Sequence, residues 1–305
     1  MIIMNTHACP DHSGGMNVRR TPMEKRPNIF SKGVLRTSVN PPKNRDGLWP
    51  IFTQMENNDG HYFGFWVDWY DDLLKNETKD IELYTGLIAD KDAPVFEIAC
   101  GTGRLLLEFL KRGIVCDGLD MSGPMLDLCR KKLTDQNLQS TLYQADVLDF
   151  DFPKTYKTIF VSGGSFQLIP SFDEAVAVLQ KIYQAIDEGG KFICDLWIPW
   201  DEIIANETNT WKVGRVSERD DGSKLVVSYF KQFNLEQQFQ TGEFKYELYQ
   251  DGELIRTQID DIKMKWYGVD EFRLMLQKAG FENISVSKQK VMSSHGISTL
   301  YIAEK

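Results

Sequence analysis

Residues 94–120 read PVFEIACGTGRLLLEFLKRGIVCDGLD. A short apolar run (Val95, Phe96, Ile98, Ala99) predicts a buried strand that breaks at Cys100-Gly101-Thr102-Gly103. Leu105, Leu106, Phe109 and Leu110 then recur at helical spacing, and after Gly113 a second apolar strand (Ile114, Val115, Leu119) ends on Asp120. Strand, glycine turn, helix, strand and terminal acid is the order in which an α/β sheet builds a nucleotide pocket at the carboxyl ends of its strands. Gly101 and Gly103 permit backbone angles that a Cβ disfavours and let a ligand lie against the main chain. A helix opening at Gly103 or Arg104 offers unpaired backbone N–H groups. Asp120 stands where a carboxylate can accept both hydroxyls of a ribose. Glu97 is the odd residue of its strand, because a lone carboxylate in apolar surroundings must reach a polar partner at the strand end.

A dinucleotide fingerprint needs a third glycine three residues after Gly103, and that position is Leu106. The string Glu97-x-x-Cys100-Gly101-Thr102-Gly103, with Asp120 17 residues beyond Gly103, closely resembles the first motif of the class I S-adenosylmethionine-dependent methyltransferases. The resemblance implies that Asp120 holds the adenosine ribose of S-adenosylmethionine. It also implies that the turn Ala99-Cys100-Gly101, with Gly103, lies under the methionine part, and it puts Glu97 among the cofactor contacts. Arg104 has two readings, a surface residue of the first helix turn or a cation paired with the methionine carboxylate. A cation at a helix N-terminus is disfavoured unless an anion is near, which tilts the reading to the carboxylate role.

Beyond Asp120, Met121 is placed to lie on an adenine face, and Ser122 is expected to cap a helix carrying Pro124 in its first turn. A third strand, 141–145, ends at Asp146; in the family that position hydrogen-bonds the adenine amino group, with the Val147 N–H nearby. A fourth strand, 158–161, opens into Ser162-Gly163-Gly164-Ser165-Phe166-Gln167, where Ser162 and Gly163 are small enough for the sulfonium end to approach the backbone. Gln167 is the polar group best placed near the methyl donor, the plain alternative being a strand-to-helix linker. Ser171 and Glu174 form a capping box for a helix expected to stop at Gly189-Gly190. The fifth strand, 191–196, ends in Asp195-Leu196-Trp197-Ile198-Pro199-Trp200, where a substrate would sit; Asp195 either orients an amine or acts as base, or is structural.

Residues 61–75 show a helical aromatic stripe (Tyr62, Phe65/Trp66, Trp69/Tyr70, Leu73/Leu74), with core as the expectation for Trp66 and Leu73. Its Tyr70-Asp71 pair is similar to one that caps the cofactor pocket in many small-molecule methyltransferases. A second helix is expected over 80–89. From Trp211 to Trp266 the period changes to two, with Asp221-Gly222 and Asp251-Gly252 as hairpin signals. Four antiparallel strands follow from that pattern, inserted after the fifth strand as a lid over the active site, a dimer surface, or both. The fold resumes with Asp270 capping a helix closed by Gly280, then two strands over 282–290 and 296–303. The expected architecture is therefore α/β: a Rossmann-like seven-stranded methyltransferase sheet (61–207 and 268–305) with an inserted antiparallel β subdomain (208–267).

The 305 residues fit one elaborated α/β domain with an N-terminal arm, and 42% hydrophobic content supports a sizeable core. No apolar run is long enough to span a bilayer, and the start MIIM lacks the pattern of a signal peptide. Five cysteines without a C-x-x-C pair suggest reduced thiols and a cytoplasmic setting. Residues 1–47 carry eight Lys/Arg against three acids, leaving −14 on the remainder of a chain whose net charge is −9. Their composition predicts a disordered or loosely packed basic arm. The arm's His7, Cys9, Asp11 and His12 can ligate a metal, but a flexible tail does not fix ligand geometry, so no metal site is expected. The acidic remainder argues against nucleic acid as a partner.

The expected function is methyl transfer by in-line displacement from S-adenosylmethionine to a small-molecule amine or hydroxyl. Base candidates are Asp195 and His295, the latter in the loop between the last two strands, with His61 behind them. The competing readings are an RNA or protein methyltransferase using the basic arm, a non-catalytic S-adenosylmethionine-binding protein, and a nicotinamide-dependent reductase, which Leu106 weakens.

Overall fold

The computed structural model describes residues 64–88, 93–169, 171–205, 208–291 and 296–305. The basic arm, with its His/Cys cluster, His61 and His295 all lie outside them. In chain order the elements are α1 (Phe65–Leu74), α2 (Lys79–Leu87), β1 (Val95–Ile98), α3 (Arg104–Lys111), β2 (Cys116–Asp120), α4 (Gly123–Asp135), β3 (Leu142–Gln144), β4 (Tyr156–Val161), a 3₁₀ turn (Ser165–Leu168), α5 (Phe172–Ala185), β5 (Ile186–Leu196), α6 (Trp200–Ile204), β6 (Lys212–Glu218), β7 (Ser223–Asn234), β8 (Phe239–Gln250), β9 (Glu253–Lys265), α7 (Val269–Ala279), β10 (Glu282–Gln289) and β11 (Ser298–Glu304).

Seven strands form one sheet in the order β10-β11-β5-β4-β1-β2-β3. β1 through β5 pair in parallel, and β11 runs antiparallel to both β5 and β10. The interior strands are buried on both faces, as a sheet covered by helices on each side requires. Alternate residues divide between two cores. Phe96, Ile159 and Phe192 pack with Leu179 and Ile182 of α5 and with Phe272 and Leu276 of α7. Val95, Phe160 and Ile193 pack on the other side with Tyr84 of α2, Leu106 and Phe109 of α3, and Leu126 of α4.

Strands β6–β9 form a separate four-stranded antiparallel meander. Asp251-Gly252 turns with φ of 50° and 84°, as a two-residue primed turn demands. The β7–β8 turn carries no glycine: Asn234 Oδ1 accepts from the Gln237 N–H at 2.8 Å and Gln238 takes the left-handed position, φ 55°. Helix α1 belongs to the core of this second sheet. Trp69 is buried with Leu225, Val227 and Tyr246, and Trp66 and Leu73 pack beside them.

Two local expectations are corrected. Helix α5 ends at Ala185, before the glycines, because Ile186 already pairs with Tyr156; Gly189 and Gly190 lie within β5. The N-cap of α7 is Gly268, not Asp270: Glu271 Oε2 accepts from the Gly268 N–H at 2.8 Å, and Asp270 falls in the first turn. The caps of α4 and α5 are Ser122 and Ser171, with hydroxyls accepting from the Met125 and Glu174 N–H groups. Among the described residues no helix is long and apolar enough to cross a membrane.

Candidate functional site

A cavity of about 930 Å³ opens where the carboxyl ends of β1, β2 and β4 meet the inner side of the second sheet. Its floor is the turn after β1. Ala99, a non-glycine residue, takes the left-handed conformation at φ 59°, which costs about 1 kcal/mol and is the kind of local strain that sites retain. Gly101 (φ 55°) follows, and a Cβ there would meet nothing within 4 Å, so the main chain is open to a ligand. Gly103 (φ 80°) does not line the cavity. A Cβ on it would fall 2.4 Å from Leu107 Cδ1 and 2.5 Å from Cys129 Sγ, so this glycine lets α3 seat on α4.

Glu97 sits 2% exposed at the cavity wall, and its Oε2 has no hydrogen-bond partner among the described residues. Burial pushes its carboxyl well above the usual range, the Arg104 charge pulling it back. Arg104 donates to Glu77 O at 3.0 Å and to Asp80 Oδ1 at 2.9 Å, and its other terminal nitrogen pairs with Asp80 Oδ2. Asp80 is fully buried on α2, so the anion beside Arg104 is the chain's own; Arg104 Nε stays buried without a partner among the described residues.

Asp120 ends β2, and its two oxygens accept from the Gly101 and Ser122 N–H groups, each at 2.8 Å. Burial raises its pKa, against those hydrogen bonds. Beside it Met121 is 59% exposed, a thioether free to lie on a planar ligand. Asp146 Oδ1 accepts from the Leu148 N–H at 2.9 Å, which fixes the turn carrying Val147. Cys100, Met121, Asp146, Val147, Ser162 and Gly163 all line the cavity.

From α1, Tyr70 reaches the same cavity, its hydroxyl pushed up to about 12 by burial. Asp71 turns to the glycine loop, where Oδ1 accepts from the Thr102 hydroxyl at 2.8 Å and Oδ2 pairs with Lys132. Lys132 also donates to Thr102 O at 3.1 Å.

Two residues expected at the reacting end point elsewhere. Asp195 is fully buried and absent from the cavity wall. Its Oδ1 accepts from the Tyr84 hydroxyl at 2.5 Å and the Gly163 N–H at 2.9 Å, so it anchors the Ser162-Gly163 loop from behind. Burial raises its carboxyl to about 6, and Oδ2 has no partner among the described residues. Gln167 likewise does not line the cavity. It donates to Trp197 O at 2.9 Å and Lys265 O at 3.0 Å and accepts from the Trp197 N–H at 2.9 Å, stitching β9 to the end of β5. Both polar side chains satisfy backbone groups that the two sheets would otherwise bury unpaired.

The far half of the cavity was legible only in part. The sequence points to Trp197 and Trp200, but Glu202 of α6 and Arg215, Tyr229, Lys231, Gln240 and Phe244 of the second sheet also line it. Period-two alternation announces a buried face of that sheet without saying what it faces. Lys231 Nζ donates to Glu202 Oε1 at 2.7 Å and lies 4.7 Å from the Tyr229 ring centroid.

The residues present fit S-adenosylmethionine: an open glycine main chain, the orphaned Glu97 Oε2, a strand-end carboxylate and the exposed Met121 thioether converge on one cavity. Comparison with known proteins agrees. A family model described as a methyltransferase domain matches residues 95–190. A Streptomyces venezuelae protein, dTDP-3-amino-3,4,6-trideoxy-alpha-D-glucopyranose N,N-dimethyltransferase, is 27% identical over 53% of this chain and 68% of its own length. Carboxy-S-adenosyl-L-methionine synthase of Campylobacter lari is also 27% identical, over 44% of this chain; the match spans 60% of that relative's length. The structure of the sugar N-methyltransferase KedS8 from a Streptoalloteichus species superposes with a TM-score of 0.64 at 16% identity, covering 90% of this chain and 98% of that one. At that identity the likeness is one of fold.

Proposed function

The chain carries the methyltransferase domain of the class I S-adenosylmethionine-dependent enzymes, and on that premise we propose that it methylates a small molecule seated between the cofactor turn and the second sheet. One observation carries this reading. The glycine turn and the aromatic inner side of the second sheet line a single cavity of about 930 Å³, within the size range of small-molecule sites and large enough for two ligands end to end. A protein that only sensed the cofactor would have no need of the second half.

When bound, S-adenosylmethionine would supply an electrophilic methyl carbon to which an acceptor lone pair can bond as the C–S bond breaks, its electrons staying on sulfur as the thioether and the acceptor's proton passing out of the site. The chain's own part is positioning and water exclusion. Asp120, Met121, Asp146 and Val147 would hold the nucleoside, and Glu97, the Gly101 main chain and the Arg104 Nε that has no partner among the described residues would hold the amino-acid part. Tyr84 and Asp195 fix the Ser162-Gly163 loop between the two halves. Trp66, Trp197, Tyr229 and Phe244 present ring surfaces to the acceptor half, suited to a planar or cationic group. Holding both reactants aligned can supply most of the acceleration of such a transfer.

The test is calorimetric titration with S-adenosylhomocysteine and with NADH, followed by a screen of amine, hydroxyl and thiol metabolites for S-adenosylhomocysteine release. Binding of the sulfur compound with turnover on a small acceptor is expected. Binding of NADH alone would overturn the reading, and cofactor binding without turnover on any acceptor class would favour a non-catalytic role.

A further inference from the structure

The acceptor half of the cavity holds two hydrogen-bond acceptors left unmet among the described residues. Glu202 gives Oε1 to the Lys231 ammonium at 2.7 Å, while Oε2 is buried without a partner among the described residues. Gln240, 4% exposed on β8, turns Nε2 toward Met264 Sδ at 3.6 Å and leaves Oε1 buried, again without a partner among the described residues. Reversing that amide would set its oxygen against the thioether sulfur, two acceptors facing each other, so the observed orientation is the favoured one.

Among the described residues the cations of this region are already engaged. Lys231 is held by Glu202, and Arg215 donates to Leu73 O at 2.6 Å and faces Glu77 Oε1 at 4.0 Å. Among the described residues a phosphate or carboxylate entering here would meet no cation that lacks a protein partner, and it would bring no donor to the Glu202 oxygen that Lys231 leaves bare. A ligand that brings N–H or O–H donors satisfies what the protein does not.

Resting on the methyl-transfer reading above, we infer that the acceptor is an amine bearing a second donor group: its nitrogen donates to Glu202 Oε2, and its other N–H or O–H donates to Gln240 Oε1. Glu202 is then the residue that selects amine over alcohol. The amine arrives as an ammonium whose full charge pairs with the carboxylate, and it gives one proton to Glu202 Oε2. That frees the nitrogen lone pair for attack on the methyl carbon, whereas an alcohol brings no charge. The rings of Trp197, Trp200 and Tyr229 line the same half and reinforce the preference for a cationic ligand.

A matched set of probes tests the inference on the whole chain: benzylamine, benzyl alcohol and benzoate, their binding followed by saturation-transfer NMR with and without S-adenosylhomocysteine. Benzylamine should bind about tenfold tighter than the other two, and Glu202→Gln should bring the three to near parity. Lys231→Met, which frees the second Glu202 oxygen, should keep or sharpen the amine preference and serves if the first variant does not fold. Tightest binding by benzoate or benzyl alcohol, or an amine preference that survives Glu202→Gln or collapses in Lys231→Met, would overturn the inference. Calorimetry with S-adenosylhomocysteine is read separately, so the methyl-transfer reading and the amine assignment can each fail alone.

Discussion

The Thr102 hydroxyl donates to Asp71 Oδ1 at 2.8 Å, tying α1 to the glycine turn that forms the cavity floor. Lys132 closes the arrangement by pairing with the same carboxylate and with Thr102 O. Thr102→Val keeps the shape and removes the donor. S-adenosylhomocysteine affinity should fall about tenfold as α1 and Tyr70 loosen over the cofactor end, with only a small drop in melting temperature. Calorimetric titration reads it, and unchanged affinity would mean that α1 does not cover the cofactor.

Asp120 works in two directions, gripping the turn through the Gly101 and Ser122 N–H groups while facing the cavity. Asp120→Ala removes both grips and any hydroxyl contact. The expected loss of cofactor affinity is about 100-fold, or roughly 3 kcal/mol, for charge-assisted bonds of this kind. Asp120→Asn, which keeps one acceptor oxygen, should lose less, and equal affinity in all three proteins would reject the assignment.

Asp195 makes stability depend on pH with a definite sign. Its folded pKa of about 6 lies above the ordinary 3.8, so the folded state binds the proton more tightly than the unfolded one. The stabilisation is therefore complete below about pH 4 and is lost as pH rises through about 6, by about 3 kcal/mol. Denaturant unfolding between pH 4 and 7 should show that slope, and Asp195→Asn should flatten it. Tyr84→Phe removes a donor that favours the ionised form, so the Asp195 titration should move upward, as carbon NMR of its carboxyl would report.

The two glycines of the turn should separate fold from function. Gly103→Ala drives a methyl into Leu107 and Cys129 at a left-handed φ and should destabilise the protein by about 3 kcal/mol. Gly101→Ala enters open space, so its stability cost should stay near the 1–2 kcal/mol of the backbone conformation while cofactor affinity falls sharply. Thermal melts beside calorimetry distinguish the two; equal behaviour would contradict the geometry.

The β1-turn-α3-β2 unit was readable because each of its parts, apolar run, glycines, helical spacing and terminal acid, is a local signal. The meander of β6–β9 was readable for the same reason, through two-residue alternation and Asp-Gly turns. For Asp195 and Gln167 the sequence left a structural and a site reading open, because position near a strand end says nothing about which way a side chain turns; both serve buried backbone groups. The Trp66-Trp69-Leu73 stripe was visible as a core face, yet its partner is the β meander, a contact between segments far apart in the chain. Glu202, Lys231 and Gln240 carried no motif, since each gains its meaning only when α6 and the second sheet close on one cavity.

The docking of α1 on the meander has a consequence for biosynthesis. Arg219 Nε donates to Asp72 Oδ2 across 147 positions of sequence, and its guanidinium lies 3.8 Å from the Trp69 ring centroid. During synthesis the helix therefore leaves the ribosome long before the strands that will shelter its tryptophans. Until those strands arrive, Trp66 and Trp69 lack their native cover, and a nascent chain stalled short of Tyr246 should engage chaperones that a completed one does not.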